Sequence, residues 1–424
     1  MVRKMGFPEQ DGTSQRAASP KLPAQPRILM PTFRKFAKSI FRCSHYEAQD
    51  VLCDIDDVDL IHLEPGPGLQ TIEGPLRRLL YHDISKRLMF LNPGLHRVRV
   101  TREYELFIAF CQNYFDLLYI NAIDGWKDQC RTSVCWIDEI WAAVIPKYKC
   151  WLHALSRFDH IFVGCSGSAA TLSEALHRRC HWLPGAVDTL QFNPYPNPPE
   201  RTIDVYSIGR RWEGIHQSLL QAASRKEIFY IYDTASSADT PAYSHQQHRS
   251  LFANVTKRSR CFVVAPAMMN APQNTHGQIE VGYRYYEGSA AGAVLIGQTP
   301  ENRVFGEMFP WPDAVVHIQP DGSDVMEVLA RLAAEPDRIS EISRRNIAGA
   351  LLRHDWVYRW KEMFRVAGIA PSQEMLARER RLKHQADLAA NTPPDGTAGH
   401  LFPTGAASRP FTFRTAFGQS RSWN

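Results

Sequence analysis

Short apolar runs alternate with amphipathic stretches along most of the chain. In the first half the apolar runs predict strands at Pro26–Met30, Val58–His62, Leu117–Ile120, Thr132–Ile137, His160–Gly164 and Cys180–Leu183. Helical spacing between them predicts helices at Phe36–Asp50, Arg102–Phe115, Lys147–Ser156 and Ala169–His177. Strands that alternate with helices are typical of a parallel sheet covered on both faces. The first half is therefore predicted to be one doubly wound, Rossmann-like domain.

A proline-rich segment, residues 193–200, separates this pattern from a second one. Its four prolines cannot continue a strand or a helix, so it is predicted to be a stiff linker. Beyond it, strands are predicted at Thr202–Ser207, Ile228–Tyr232, Cys261–Ala265, Ala293–Gly297 and Ala314–Ile318. Helices are predicted at Ile215–Ala223, His245–Lys257, Tyr283–Ala291, Val325–Ala334 and Glu341–Arg353. The sequence thus predicts α/β architecture with two Rossmann-like domains that face each other across a ligand-binding cleft.

Composition and charge exclude several classes of protein. Of the 424 residues, 44% are hydrophobic and 22% charged, which excludes a disordered chain and a coiled-coil rod. The net charge is +5, but residues 1–26 and 391–424, which are predicted to be disordered tails, each carry +2. The nearly neutral body argues against a nucleic-acid binder. Nine cysteines without a Cys-x-x-Cys pair indicate reduced thiols, and no apolar leader or membrane span is visible, so we expect a cytoplasmic protein.

The stretch Arg284–Gly297 carries the clearest candidate chemistry. Its small residues allow the start of a helix to approach a ligand closely, and free backbone N–H groups there suit a diphosphate. Glu287 would face the same ligand and accept hydrogen bonds from a ribose diol. The alternative is ordinary helix–sheet packing with a solvated glutamate.

Four motifs in this order resemble the glycosyl transferases group 1 superfamily, in its spore-maturation-protein-like branch. They are the donor-site motif Arg284-Tyr-Tyr-Glu followed by Ala-Ala-Gly-Ala-Val-Leu-Ile, the crossover Pro184–Pro194, the Gly-Arg turn within Asp204–Arg211, and the closing helix Leu351–Trp360. The resemblance spans about residues 130–365. It implies the GT-B fold and transfer of a sugar from a nucleoside diphosphate sugar to a hydroxyl acceptor, with retention of anomeric configuration.

The same resemblance assigns roles to the parts of the chain. It implies an acceptor-side domain at residues 27–192, a nucleotide-sugar domain at 201–354, and a helix over 355–388 that returns to the first domain, with tails at 1–26 and 389–424. The acceptor is a glycan, a lipid-linked molecule or a small molecule, with at most peripheral membrane contact and no nucleic acid. Competing functions are an epimerase or hydrolase on the same fold and a non-catalytic nucleotide-sugar-binding protein.

Three positions depart from the family pattern. The first of its two glutamates is absent at Ile279, and Glu280 is either its substitute or a surface residue. The family lysine after the Gly-Arg turn is absent, and Arg211, His216 and Lys257 are the candidates to replace it. The histidine of a first-domain His-Asp pair is also missing, which leaves Asp138 either as the acceptor-side carboxylate or as a helix N-cap.

The predicted site therefore has two parts. Asp138 and Glu280 are the candidate catalytic residues, and the donor is held by Arg210, Arg211, His216, Lys257, Gly277, Arg284 and Glu287. No cofactor and no metal are expected. Asp54-Ile-Asp56 resembles a metal-binding Asp-x-Asp motif, but it precedes the strand Val58–His62, where a polar turn is the better interpretation.

Overall fold

The chain forms two α/β domains, each built on a parallel sheet. The computed structural model describes residues 26–234 and 240–391. In the first domain the strands are β1 (Ile28–Thr32), β2 (Val58–His62), β3 (Val98–Arg99), β4 (Tyr104–Asn113), β5 (Ile123–Asp124), β6 (Cys130–Glu139), β7 (His160–Val163) and β8 (His181–Trp182). Its helices are α1 (Cys43–Ile55), α2 (Leu69–Tyr81), α3 (Trp126–Gln129), α4 (Lys149–Leu155) and α5 (Ala169–Leu176). Six strands pair in the order β2-β1-β4-β6-β7-β8, and β3 pairs with β5.

The second domain follows the short helix α6 (Thr189–Phe192). Its strands are β9 (Ile203–Ser207), β10 (Tyr230–Tyr232), β11 (Ser259–Val264), β12 (Val294–Gly297) and β13 (Val316–His317), in the order β10-β9-β11-β12-β13. Its helices are α7 (Glu213–Ser224), α8 (His245–Lys257), α9 (Pro272–Thr275), α10 (Tyr283–Ala290), α11 (Arg303–Met308), α12 (Val325–Ala334) and α13 (Pro336–Arg353). The predicted fold class, two Rossmann-like domains in the GT-B arrangement, is confirmed.

One strand and one helix of the first domain are exchanged relative to the sequence prediction. The predicted helix Arg102–Phe115 is the strand β4, and the predicted strand Leu117–Ile120 lies in a 3-10 helix, Tyr114–Ala122. Because β4 lies between β1 and β6 with both faces covered, its side chains form a continuous apolar run instead of an alternating one. Periodicity alone does not distinguish such a run from a buried helix.

Two helices after α13 pack on the first domain. They are α14 (Trp356–Ala367) and α15 (Gln373–Asn391), and their buried side chains share one core with β1, β4, β6 and α1. The returning helix predicted over 355–388 is two helices, because α14 ends at the C-cap Gly368, with φ +68°, and α15 begins at Gln373. Asp355 caps α14 by accepting the N–H of Val357 at 3.0 Å. Helix α15 also runs three residues past the predicted boundary at 388. The rest of the two predicted tails, residues 1–25 and 392–424, lies outside the described residues.

Candidate active site

A cavity of about 260 Å³ lies between the two domains. Parallel strands of both sheets end at it, which is where α/β folds bind ligands. From the first domain it is lined by the ends of β6 and β7 and the loop after β8, and from the second by the loops after β9 and β11 and the start of α10. Its charged lining residues are Asp138, Glu139, Arg210, Arg249, Glu280, Arg284 and Glu287.

The wall from the second domain presents cations to the cavity. Helix α10 begins there, with Gly282 as its N-cap and Arg284 in its first turn. The Arg284 guanidinium lies 4.8 Å from the centroid of the Phe252 ring and donates to the Ile208 carbonyl at 3.2 Å. Arg210 follows Gly209, whose φ of +80° forms a turn that favours glycine. Arg210 is exposed and makes no ion pair with the residues that the structure describes.

A buried chain of alternating charges lies behind this wall. Arg249 of α8 pairs with Glu47 of α1 at 2.6 Å and also with Glu287 of α10, and Glu287 pairs in turn with Arg284. Burial would raise the pKa of Glu287, but Arg284 and Arg249 more than offset it, so its pKa lies below the usual range. Burial lowers the pKa of Arg249, and the two carboxylates more than reverse this, so its pKa lies above the usual range. Glu287 and Arg249 are therefore both charged at neutral pH, whereas burial raises the pKa of Glu47 in spite of its pair with Arg249.

This chain changes the interpretation of Glu287. The sequence places it at the ligand edge, free to bind a ribose. In the structure it is fully buried at the back of the cavity, and each carboxylate oxygen accepts from one arginine. Glu287 therefore orients Arg284 and Arg249, and any bond to a ligand would use its remaining lone pairs. The solvated-glutamate alternative is wrong.

The wall from the first domain centres on Asp138 at the end of β6. Its Oδ2 lies 3.0 Å from Nε2 of His45, a buried residue of α1. The Tyr283 ring lies 6.0 Å from that of His45, and burial together with the Asp138 charge holds the pKa of Tyr283 well above its usual value. Gly164 leaves room for the carboxylate, since an added Cβ there would lie 2.7 Å from Asp138 Oδ1. Asp138 does not cap a helix, because the following 3-10 helix has Trp141 as its N-cap.

Glu280 lines the cavity, but its carboxylate joins the two domains. It lies before α10 begins, outside the helix that carries Glu287. Its oxygens accept the backbone N–H groups of Ser166 and Gly167 at 2.8 and 2.9 Å and the Gln278 amide at 2.6 Å. Gln278 also accepts the N–H of Ala142 at 2.9 Å. The surface-residue alternative is also wrong, because only 6% of Glu280 is exposed.

The structure does not bring four of the predicted donor residues to the cavity. Arg211 pairs with Asp233 at 2.9 Å, and His216 hydrogen-bonds the Tyr230 hydroxyl at 2.9 Å. Lys257 is the last residue of α8, at the opposite end from the N-cap Ser244. It donates to the Gln191 carbonyl at 3.1 Å. Gly277 lies in a turn with φ +82° outside the cavity lining. Their positions do not support direct contact with the donor.

Three residues of the site escape sequence reasoning: His45, Glu47 and Arg249. All three are buried and polar, and each makes its contact with a residue more than 35 positions away. Helical spacing predicts α1 and α8 but does not show which of their polar residues faces the other domain. The one available signal is that the sequence has no histidine next to Asp138, and His45 of α1 lies beside it in the structure.

Residues 26–234 and 240–391 contain neither a cluster of metal ligands nor a helix able to span a membrane. No group of three or more His, Cys, Asp or Glu side chains in these residues is arranged to hold a metal ion. Within the same ranges, no helix has both the length and the apolarity required to cross a bilayer.

Comparison with known proteins identifies the second domain. Residues 201–365 match the family model described as glycosyl transferase-like. No curated protein sequence matches the chain. Among solved structures, trehalose-6-phosphate synthase is similar with a TM-score of 0.52 and 10% identity, over 81% of this chain and 100% of that one. An α-glucosyltransferase in complex with UDP and a 13-mer DNA has a TM-score of 0.50 and 11% identity, over 81% of this chain and 99% of that one.

Fold and family together define the class of the protein. The structural matches show the GT-B fold, and residues 201–365 match the glycosyl transferase-like family model. The protein is therefore a glycosyltransferase enzyme. The spore-maturation-protein-like branch indicated by the sequence motifs stays a prediction.

Proposed function

We propose that the protein transfers a sugar from a nucleoside diphosphate sugar to a hydroxyl acceptor. One observation carries this proposal: Arg210, Arg284 and the first turn of α10 converge on one cavity in the domain that matches the family model. Guanidinium groups donate paired hydrogen bonds to phosphate, and the helix N-terminus favours an anion. These groups together suit the diphosphate of the donor.

The charge chain behind the cavity supports the same role. The ion pair with Glu287 holds the Arg284 guanidinium in one orientation before the donor arrives. Preorganised cations stabilise the charge that develops on a diphosphate leaving group and need no rearrangement during the reaction. We therefore propose metal-independent transfer. The contact of Glu287 with the donor ribose stays a prediction.

The acceptor is proposed to bind against the first domain. Asp138 and Glu139 are the carboxylates of the first domain that line the cavity, and Phe41, Trp141 and Trp182 supply apolar walls. In this arrangement Asp138 orients or deprotonates the acceptor hydroxyl, and His45 fixes the position of Asp138. Retention of anomeric configuration rests on the family resemblance, and NMR of the product anomer tests it.

Two adjacent arginines provide a matched experiment. UDP is the first nucleotide to test, because the similar α-glucosyltransferase was solved with UDP. Arg210→Gln should weaken UDP binding by about 1.5–3 kcal/mol, the cost of removing a charged hydrogen bond, as measured by isothermal titration. Arg211→Gln should leave the affinity within about twofold, because Arg211 pairs with Asp233 instead. Equal effects of the two changes would refute the donor assignment.

A turnover assay separates the competing functions. Nucleotide release that requires an acceptor supports transfer, whereas release without an acceptor supports a hydrolase. Tight binding of the nucleotide sugar without any turnover would indicate the non-catalytic binding protein.

A further inference from the structure

Helix α8 brings two basic residues to the cavity that do not belong to the donor site predicted from the sequence. They are the neighbours His248 and Arg249, and both line the cavity. His248 is half-buried, and its ring makes neither a hydrogen bond nor an ion pair with the residues that the structure describes. The imidazole is therefore available to a molecule bound in the cavity.

His248 lies on the side of α8 that faces Arg284. Residues four positions apart on a helix are neighbours on one face, so His248 lies one turn from Phe252. The Arg284 guanidinium lies 4.8 Å from the centroid of the Phe252 ring, and Arg284 and His248 both line the cavity. His248 is therefore placed on the wall that presents Arg284 to the donor diphosphate.

The guanidinium of Arg249 has one nitrogen without a partner. Its Nε and Nη1 donate to Glu47 and Glu287, whereas its Nη2 is buried and has no hydrogen-bond partner in the described part of the chain. Leaving a donor of a buried charged group unpaired is costly, so this nitrogen indicates a ligand that supplies an acceptor. Because Arg249 is 3% exposed and lines the cavity, a diphosphate bound there would supply such an oxygen.

The charges around His248 favour a neutral imidazole before the donor binds. Burial lowers the pKa of His248, and Arg249 and Arg284 lower it further, against a smaller opposite effect of Glu287. The other elements that pack against α8 use their charged side chains in the pairs Glu47–Arg249, Asp50–His245, Arg42–Asp116 and Asp204–Arg260. The remaining charged residues of the cavity lining are Arg210, Asp138, Glu139 and Glu280.

We infer that His248 is a further donor-binding residue, which binds the diphosphate beside the free nitrogen of Arg249 and takes up one proton from solvent as the donor binds. The inference rests on the proposed function, because it assumes a diphosphate in this cavity. A diphosphate brings negative charge to the ring, and an opposite charge within about 4–6 Å favours the protonated form. The imidazolium also has two N–H donors, whereas the neutral ring has one. Only a proton and hydrogen bonds change, and no covalent bond forms.

The affinity for UDP should therefore depend on pH through His248. The pKa of its ring is below the usual value in the free protein and should rise when UDP binds, so binding should tighten as the pH falls. Between about pH 8 and pH 6 the affinity of the native chain should rise about tenfold more than that of His248→Gln. Glutamine keeps a hydrogen-bond donor at this position but cannot take up the proton.

Isothermal titration of the full chain with UDP measures the proton directly. The binding enthalpy at about pH 7 is compared in buffers of different ionisation enthalpy, such as PIPES and Tris, and the slope gives the number of protons taken up. The native chain should take up about 0.5 proton more than His248→Gln. This difference cancels any proton that UDP itself releases. His317→Gln, at an exposed position of β13 outside the cavity lining, should match the native chain.

Equal proton uptake by the native chain and His248→Gln would overturn the inference, and so would an equal loss of uptake in His317→Gln. If His248 were only structural, His248→Gln would lower the thermal stability and leave the uptake of protons unchanged. The proposed function is tested separately by Arg210→Gln and Arg211→Gln. If Arg210→Gln alone weakens UDP binding while His248→Gln keeps the native uptake, the donor assignment stands and the role of His248 is refuted.

Discussion

Arg249 of the second domain donates its Nε–H to Glu47 of the first domain at 2.6 Å, in a pair that is almost completely buried. The other arm of the same guanidinium holds Glu287. Glu47 also accepts the indole N–H of Trp356 at 3.1 Å and the backbone N–H of Asp188 at 2.8 Å. Arg249 and Glu47 together therefore connect the donor wall of the cavity to α1 and to the returning helix α14.

Arg249→Met should destabilise the protein by about 3–5 kcal/mol, because it leaves the buried Glu47 without a counter-charge and Glu287 with Arg284 alone. Urea unfolding at neutral pH measures the effect. Arg303→Met provides the control, because it removes an arginine that pairs with Glu307 at 2.8 Å but is 91% exposed. That change should cost less than about 1 kcal/mol. Similar costs for the two variants would contradict the role of the buried charge chain.

Restoring neutrality should recover part of the stability. Glu47→Gln and Glu287→Gln in the Arg249→Met background remove the stranded charges, and the combined variant should be more stable than Arg249→Met alone. If the losses simply add, the three residues do not act as one electrostatic unit.

Asp138→Asn should lower kcat by about 100-fold or more, because the amide keeps the shape of the carboxylate but cannot take a proton. UDP affinity should stay within about twofold, since Asp138 lies on the opposite wall from Arg210 and Arg284. Steady-state kinetics and titration measure the two quantities separately. His45→Gln should lower kcat and leave UDP binding intact, whereas Asp128→Asn, at an exposed position, should change neither. An Asp138→Asn enzyme with native kcat would exclude the acceptor-side role.

Turnover should persist in EDTA. Arg210, Arg284 and the start of α10 are proposed to supply the positive charge that a divalent cation would otherwise bring to the diphosphate. The measurement is the initial rate after chelation and dialysis, with and without added Mg²⁺ or Mn²⁺. Loss of activity that either ion restores would contradict metal-independent transfer.

His354 should contribute to the pH dependence of the free energy of unfolding. Burial, with Arg359 and Arg353 nearby, holds its pKa well below the usual value, and its ring packs 4.5 Å from that of Phe309. The folded state therefore keeps the imidazole neutral, while the unfolded chain binds a proton below about pH 6.5. Because the unfolded state binds more protons, stability should fall as the pH drops below that value.

The contribution of His354 is the difference in the pH dependence of unfolding free energy between the native chain and His354→Phe. Between about pH 7.5 and 5.5 the native protein should lose about 1 kcal/mol more unfolding free energy than the variant. Urea unfolding at both pH values measures it. His317→Gln, at an exposed position, should keep the native pH dependence. A native-like pH dependence in His354→Phe would show that His354 does not contribute.

The sequence predicts the fold much better than it predicts the site. Apolar runs and caps are local features, and they are sufficient for α8 and α12, whose observed bounds equal the predicted ones. The strand β4 is the exception, because burial on both faces removes its alternation. The partners of Asp138, Glu280 and Glu287 depend on how the two domains meet. No short-range pattern shows that Arg249 reaches Glu47 across 202 residues of sequence.

The resemblance to a family locates the donor motif but does not assign every role within it. Arg210 and Arg211 are equivalent in the sequence, and only the fold shows that the first lines the cavity while the second pairs with Asp233. Glu280 matches the family motif only approximately, and in the structure it bonds the first domain. Motif positions therefore need the contacts of the folded chain before a role is assigned.

The returning helices should be essential to the first domain. Trp360 of α14 is completely buried and donates its indole N–H to the Ala48 carbonyl of α1 at 3.1 Å. Its ring lies 5.0 Å from that of Phe110, in the middle of the first sheet. Trp360→Ala should therefore cost about 3–5 kcal/mol of unfolding free energy, through lost contacts and a cavity.

Truncation tests the same arrangement without a substitution. A chain that ends at residue 354 lacks α14 and α15 and exposes the apolar face that Trp356, Trp360 and Phe364 cover. It should aggregate or lose cooperative unfolding, because the first domain cannot close its core. A chain that ends at residue 391 keeps both helices and should retain native stability and UDP binding. If the 1–354 chain unfolds cooperatively and turns over substrate, the first domain does not require the returning helices.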